Sequence, residues 1–167
     1  MCDTDKDILE LLYSRYYNEA RLYCLALCGS HETAEDLVAD AFIKAYLSLP
    51  DDVPSFRYWL FRVCKNLWID LLRKEKRRID STYESLPADF NTPETEALKT
   101  EQRMILREAI ESLEQSDREI LLLHYFFDMP LYEIAKMQSK NCDATRQRLT
   151  RLRQTLKKRL EEQGYEL

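Results

Sequence analysis

The last part of the chain carries side chains that suit contact with duplex nucleic acid. Residues 141–160 contain seven Lys and Arg residues against one acidic residue. The first turns of this segment hold side chains that can reach base edges in a major groove, namely Asn141, Asp143, Arg146 and Gln147. Cations suited to phosphates follow or accompany them: Arg148, Arg151, Lys157 and Lys158. The alternative is an amphipathic bundle helix with a charged outer surface.

A second basic segment differs in composition, because aromatic residues alternate with its cations. Residues 57–78 contain eight basic and two acidic residues. Unpaired bases stack on aromatic rings while cations hold the phosphates, which would fit Tyr58, Trp59, Phe61 and Trp68 beside Arg57, Arg62 and Lys65. Aromatic residues at helical spacing also build cores, and we expect Phe56 and Trp59 to do so. The more exposed aromatics then stay candidates, as does the predicted loop before this segment, LPDDVPS, which Pro50 and Pro54 bracket.

Catalytic chemistry finds no support in the residue pattern. The two histidines are His31 and His124, and His124 lies in the apolar run LLLHYFF, where we expect a core residue rather than a base. There is no Ser-His-Asp order and no glycine-rich phosphate loop. We therefore expect no enzyme and no cofactor.

Metal binding is also disfavoured. Cys24, Cys28 and His31 come close together in sequence, but no further cysteine or histidine pair completes four ligands. The carboxylates Glu35, Asp36 and Asp40 share a helix face without other ligands, so we expect a solvated or partner-facing strip. The cysteines are expected to be free residues, several of them in the core.

Composition limits the fold and the compartment. The chain has 167 residues, 45% of them hydrophobic and 33% charged, and it has only two glycines, which favours an all-α fold. No apolar run has the roughly 20 residues that a membrane-spanning helix needs. The start of the chain is acidic, unlike a secretory signal, and the five scattered cysteines do not suggest a disulfide framework. We expect a cytoplasmic protein without membrane insertion.

Helical periodicity predicts three helices in the first part of the chain. The first covers about 5–28 and ends at Gly29, and the second covers about 33–48. The third begins after Ser55, which is a possible cap. The predicted core stripe of the third helix is Phe56, Trp59, Leu60, Val63, Leu67 and Leu71. Residues 77–93 lack periodicity and turn acidic after Arg78, so they are read as a linker.

Further helices are predicted after the linker. One begins at Thr92-Pro93, and a capping box, Ser116 to Glu119, opens the apolar run that ends at Phe127. A turn at 128–130 leads to a short helix, LYEIAKMQ, and a second turn leads to a long helix with Asn141 as its cap. A short helix, a tight turn and a longer basic helix are typical of helix-turn-helix DNA binding.

Four segments of the chain together resemble a known family. They are DLVADAFIKAYLSL, FRYWLFRVCKNLWIDLLRKEKRR, LEQSDREILLLHYFFDMPLYEIAKM and RQRLTRLRQTLKKRL. In this order and spacing they resemble the bacterial RNA polymerase sigma factors of the small extracytoplasmic-function (ECF) group, within the sigma-70 family. The resemblance covers nearly the whole chain.

The resemblance implies two small helical domains joined by a flexible acidic linker. Residues 1–76 would form a sigma-two domain, 77–98 the linker, 99–163 a sigma-four helix-turn-helix domain and 164–167 a tail. Three sets of residues acquire implied roles. Core polymerase would contact Asp36, Leu37, Asp40, Ala41 and Phe42. The −10 promoter region would be opened and read by Asp51, Asp52, Ser55, Arg57, Arg62, Lys65, Asn66 and Arg73. The −35 element would be read by Asn141, Asp143, Ala144, Arg146, Gln147, Arg148 and Arg151.

The implied partners are core RNA polymerase, promoter DNA and an anti-sigma factor. One departure from the family pattern concerns the helix-turn-helix turn, which usually reads Leu-Gly-Ile and then a small polar residue. Here the positions are Gln138, Ser139, Lys140 and Asn141, and Thr145 stands where an aliphatic residue is usual. Two rival functions stay open: a stand-alone helix-turn-helix regulator, and a helical scaffold that binds only proteins.

Overall fold

The computed structural model describes residues 3–48, 55–77 and 100–164, and the regular structure in those ranges is helical. The predicted all-α class is therefore confirmed. The chain divides after Asp89 into two units, and each unit is described by itself. The predicted loop residues Asp51 and Asp52, most of the predicted linker and the last three residues lie outside the described ranges.

Unit 1 is a bundle of three helices that pack against one another. They are α1 (Asp3–Cys28), α2 (His31–Ser48) and α3 (Phe56–Lys76). Gly29 ends α1 as predicted: its φ is 72°, and its N–H donates to the Leu25 carbonyl at 2.8 Å. Helix α2 begins two residues before its predicted start, because the Ser30 hydroxyl accepts from the Thr33 N–H at 3.3 Å and caps the first turn.

The core of unit 1 corrects the predicted stripe of α3. The buried residues of α3 are Leu60, Phe61, Cys64 and Trp68, and only the first of them belongs to the predicted stripe. Phe56 and Trp59 are half-buried and stack on each other with ring centroids 5.7 Å apart. The prediction was wrong because α3 carries apolar residues on several faces, so spacing alone does not determine which face packs inward. Ser55 precedes α3 in extended conformation, but its side chain makes no capping hydrogen bond.

Two cysteines meet inside unit 1. Cys24 of α1 and Cys64 of α3 are fully buried, and the side-chain hydrogen bond between them, together with burial, raises the pKa of the Cys24 thiol. Burial also raises the pKa of the Cys28 thiol. The cysteines of the described ranges are free, and no group of potential metal ligands occurs among the residues described.

Unit 2 begins with two short helices and a segment of different winding. These are α4 (Thr100–Glu111), α5 (Gln115–Leu121) and a π-helical segment, Leu122–Phe126. The predicted capping box is wrong. The N-cap of α5 is Glu114, two residues before the predicted Ser116. The backbone closes the first turn, since the N–H groups of Asp117 and Arg118 both donate to the Glu114 carbonyl at 3.0 Å. The side chains of the predicted box bond to other helices instead, as described below.

The π-helical segment has no counterpart among the sequence predictions. It ends in a turn at Asp128, whose φ is 47°, and the Met129 N–H donates to the Leu123 carbonyl at 2.8 Å. His124 was expected in the core but lies half-buried in this segment, with Nδ1 3.4 Å from the Met129 carbonyl oxygen. Helices α6 (Leu131–Met137) and α7 (Cys142–Glu162) complete the unit. Among the helices described, none combines the length and the apolar composition that a membrane-spanning segment requires.

Candidate nucleic-acid interfaces

The turn between α6 and α7 closes without the usual glycine. Ser139 takes a left-handed conformation with φ of 54°, the region that favours glycine. Its N–H donates to the Lys136 carbonyl at 3.2 Å, and the Lys140 N–H donates to the Ala135 carbonyl at 2.9 Å. This pair of bonds is a Schellman motif, in which the orphan carbonyls of the helix end are satisfied. The atypical sequence therefore still forms a tight helix-turn-helix turn.

The start of α7 is capped as predicted. Asn141 Oδ1 accepts from the Ala144 N–H at 2.7 Å. Thr145, which stands at a usually aliphatic position, is 2% exposed, and its hydroxyl donates to the Asn141 carbonyl at 3.0 Å. The buried hydroxyl is satisfied locally, so the polar substitution costs little.

The predicted base-reading side chains lie together on the outside of α7. Asp143, Ala144, Arg146 and Gln147 are all exposed, and Arg151 continues the same face one turn further on. Arg146 Nη1 forms an ion pair with Asp143 Oδ1 at 2.7 Å. Because this pair lies within α7, it holds the guanidinium near the helix start without tying it to another helix.

Three other cations of α7 bind neighbouring helices. Arg148 forms ion pairs with Asp117 and Glu114 of the α5 start, Arg153 donates to the Tyr125 hydroxyl, and Arg159 Nη1 donates to the Ala109 carbonyl at 3.3 Å. The hydrogen bond to Asp117 raises the pKa of Arg148. Sequence analysis missed these contacts because the partners lie 28 to 50 positions away, beyond any local pattern. The predicted phosphate ligand Arg148 is therefore already engaged.

The predicted −10 residues of α3 occupy different environments. Arg57 is largely buried, with Nε 2.7 Å from Glu19 Oε2 of α1 and its guanidinium 5.7 Å from the Phe61 ring centroid. Arg62 and Lys65 are half-buried, whereas Asn66 and Arg73 are exposed, the latter paired with Asp70 at 3.6 Å. Ser55 is half-buried. The predicted −10 residues of α3 thus share one helix but differ in exposure. Asp51 and Asp52 of the same predicted set are not among the residues described.

Two of the proposed stacking aromatics are excluded by burial. Phe61 is fully buried and Trp68 is 8% exposed, so neither ring can receive a base in this structure. Tyr58 and Trp59 are half-buried at the start of α3, close in sequence to the predicted −10 loop, which lies outside the described residues. They are the candidates that stay.

The predicted polymerase-contact residues divide into two groups on α2. Asp36 and Asp40 are exposed, whereas Leu37, Ala41 and Phe42 are buried in the unit 1 core. Leu37 and Ala41 therefore hold α2 in place and do not form an outer surface, whereas Phe42 belongs to the core and also reaches the surface. Beside them lies a shallow apolar groove of about 340 Å³ that sequence analysis missed, lined by Tyr13, Ala39, Phe42, Ile43, Tyr46 and Leu47. The available signal was that α2 has apolar residues outside its buried face, namely Ala39, Ile43, Tyr46 and Leu47.

Comparison with known proteins places both units in one family. The sigma-70 region 2 family model matches residues 12–78, and the sigma-70 region 4 model matches residues 103–156. The chain is 28% identical to the ECF RNA polymerase sigma factor SigW of Bacillus subtilis, an alignment that covers 95% of this chain and 89% of SigW. It is 26% identical to SigM of the same organism over 89% of this chain and 93% of SigM.

A solved structure shows the same fold. The sigma factor RpoE from Bartonella quintana, solved in complex with the anti-sigma factor NepR, matches with a TM-score of 0.66 and 21% identity over 93% of this chain and 98% of that chain. The two matched family regions together span well over half of the sequence, in the order expected from the resemblance. The chain therefore belongs to the sigma-70 family, with the ECF RNA polymerase sigma factors among its relatives.

Proposed function

We propose that this protein is a bacterial transcription initiation factor that binds core RNA polymerase, directs it to specific −10/−35 promoters and assists promoter melting. The observation that carries the proposal is the presence of regions 2 and 4 in one chain, aligned over nearly its full length with RNA polymerase sigma factors. It would act in the cytoplasm beside its polymerase, and it would catalyse no reaction of its own.

Unit 2 would read the −35 element as duplex DNA. The exposed start of α7 can enter a major groove, where Arg146 and Gln147 can bond to base edges and Asp143 can accept from cytosine. Asn141 fixes the start of the helix through its cap, and Arg151 lies where a phosphate contact is expected. Ala144 leaves room for close approach to the DNA.

Unit 1 would open and read the −10 region. Arg62, Lys65, Asn66 and Arg73 lie along α3 and offer polar and cationic contacts for a single strand. Bases captured by the predicted loop with Asp51 and Asp52, and stacked against Tyr58 or Trp59, cannot re-pair. Their capture would shift the equilibrium toward open DNA. Arg57 would support this surface through its ion pair with Glu19.

Core polymerase would dock on α2. Asp36 and Asp40 supply exposed negative charge, and the adjacent groove supplies apolar surface, a combination suited to a partner helix with one apolar and one basic face. We also propose an anti-sigma factor as a second partner, as is usual in the ECF group. A pull-down from the native cytosol that recovers no such protein would contradict this second proposal.

Strand opening tests the two DNA surfaces separately. With core polymerase on a promoter fragment, Arg62→Glu should abolish permanganate reactivity of the −10 thymines while leaving −35 protection in place. Arg146→Glu should remove protection of the −35 element. Arg15→Glu, an exposed charge reversal on α1 outside both surfaces, is the matched control and should leave both signals unchanged. If the protein opens no −10 region with polymerase but protects duplex DNA by itself, it is a stand-alone regulator instead.

A further inference from the structure

Arg148 connects the second turn of α7 to the start of α5. Its Nε donates to Asp117 Oδ1. Its Nη2 donates to Glu114 Oε2 at 3.3 Å and to Ser116 Oγ, also at 3.3 Å. The Asp117 side chain is only 14% exposed. Two carboxylates therefore neutralise this guanidinium within the protein, and a DNA phosphate would have to displace them.

Gln138 makes a second connection to the same stretch of α5. This residue ends α6, and its Nε2 donates to the Ser116 carbonyl at 2.9 Å and to Glu119 Oε2 at 3.0 Å. Glu119 is a buried carboxylate, so its bond to Gln138 is worth more than an exposed contact. Both helices of the helix-turn-helix thus bond to residues 114–119, one through Gln138 and the other through Arg148.

We propose that Arg148 and Gln138 are positioning residues that set the orientation of α6 and α7 for −35 recognition, and that Arg148 is not a phosphate ligand. The proposal rests on the proposed function of unit 2. In this chain a polar side chain stands at 138, where the family pattern has leucine, so hydrogen bonds replace apolar packing at this junction. The buried Glu119 and the shielded Asp117 give those bonds fixed geometry.

Arg146 and Arg151 provide the contrast. The Arg146 side chain is 60% exposed, and the residues that it contacts, Asp143 and Cys142, belong to α7 itself. Arg151 is exposed on the same face. Neither has a described contact that fixes one helix to another, so both are available to DNA.

Asp117→Asn separates positioning from DNA contact because the two roles predict opposite results. If Arg148 positions α7, loss of the Asp117 charge loosens the helix, and discrimination between a −35 duplex and a scrambled duplex should fall about tenfold. If Arg148 binds phosphate, removal of a competing carboxylate should leave binding unchanged or tighten it. The measurement is promoter binding by the full chain with core polymerase across a range of salt concentrations.

The salt dependence supplies a second readout. Arg148→Gln should weaken −35 binding without changing the slope of log K against log salt, whereas the matched control Arg151→Gln should reduce that slope by about one. Gln138→Leu, which keeps the size of the side chain, should lower −35 discrimination at an unchanged slope. Far-UV circular dichroism checks that each variant folds, and Asp117→Asn with Arg148→Gln should together cost less stability than the sum of the single changes.

The outcomes are distinguishable. Loss of discrimination in Asp117→Asn and Gln138→Leu at unchanged slope supports positioning. Unchanged or tighter binding by Asp117→Asn, or a slope lowered by Arg148→Gln, overturns the positioning role while leaving the proposed function in place. A wild-type protein that shows no −35-dependent binding with polymerase overturns the proposed function, and this inference with it.

Discussion

At the scale of single residues, Ser139 has a backbone conformation that disfavours its residue type. It occupies the left-handed region at the end of α6, which costs a residue with a Cβ about 1 kcal/mol relative to glycine. Ser139→Gly should therefore stabilise unit 2 by about 1 kcal/mol and raise its melting temperature by about 5 °C. Ser139→Ala keeps the Cβ and is the matched control, without the gain.

The two tryptophans make this prediction measurable in the full chain. Trp59 and Trp68 both belong to α3 in unit 1, so tryptophan fluorescence reports that unit, while far-UV circular dichroism reports both. The dichroism transition of Ser139→Gly should move to higher temperature while the fluorescence transition stays in place. An unshifted dichroism transition would show that the strain at Ser139 is relieved in some other way.

The paired thiols of unit 1 give a second prediction at this scale. Because the contact with Cys64 and burial raise the pKa of Cys24, raising the pH from 7 to 9 leaves this thiol protonated and unreactive. Peptide mapping after iodoacetamide treatment should find Cys142, which is half-buried, modified well before Cys24 or Cys64. Modification of Cys24 in the folded protein as fast as that of Cys142 would contradict this account.

At the scale of helices, the apolar groove between α1 and α2 lies beside the exposed carboxylates Asp36 and Asp40. Together they form a surface with an apolar part and an acidic part. Leu47 lines the groove and is 73% exposed, whereas Leu11 of α1 has nearly the same exposure and does not line it. Leu47→Asp should weaken binding to core polymerase at least tenfold, since burying a carboxylate in an apolar contact is costly. Leu11→Asp is the matched control and should bind as wild type.

Competition binding with labelled wild-type protein and core polymerase measures both variants. Neither leucine contributes to the buried core, so neither change should unfold unit 1. Equal affinities for Leu47→Asp and wild type would place the polymerase contact elsewhere on unit 1.

Helix positions followed from sequence, whereas the buried face of α3 and the cap of α5 did not. Gly29 and Asn141 mark helix boundaries by local chemistry, and both act as predicted. The face of α3 was misassigned because its apolar residues surround the helix. The predicted box at Ser116 failed because its side chains bond to α6 and α7, which no local pattern can indicate.

At the scale of the whole molecule, the separation of charge along the chain predicts conditional DNA binding. The net charge is −5, although the segments 57–78 and 141–160 are each strongly basic. The free protein should bind promoter DNA weakly at physiological salt, because the acidic remainder repels phosphates. The complex with core polymerase should bind at least a hundredfold more tightly.

This expectation is checked by titrating a labelled promoter fragment with the protein alone, with polymerase alone and with both together. A scrambled fragment of equal length is the control for nonspecific binding. Tight, specific binding by the protein alone would contradict the proposed dependence on polymerase.

The order of regions along the chain was predictable from sequence, and the family matches confirm it. The boundaries 1–76, 77–98, 99–163 and 164–167, and the roles given to individual residues, stay predictions. Burial and ion pairing nevertheless reduce the number of residues that could contact polymerase or DNA. Leu37, Ala41, Phe61 and Trp68 lie in the core, and Arg148 is held by carboxylates of α5. Such long-range partners depend on packing between helices and could not be found from spacing.

Run-off transcription on genomic promoter fragments tests the central claim most directly. Purified core polymerase is assayed with and without this protein, and the account predicts start sites that require both. Those starts should disappear with Arg62→Glu and with Arg146→Glu and persist with Arg15→Glu. If the wild-type protein produces no new starts on any fragment, yet by itself shifts specific duplex DNA at physiological salt, the sigma-factor account is contradicted.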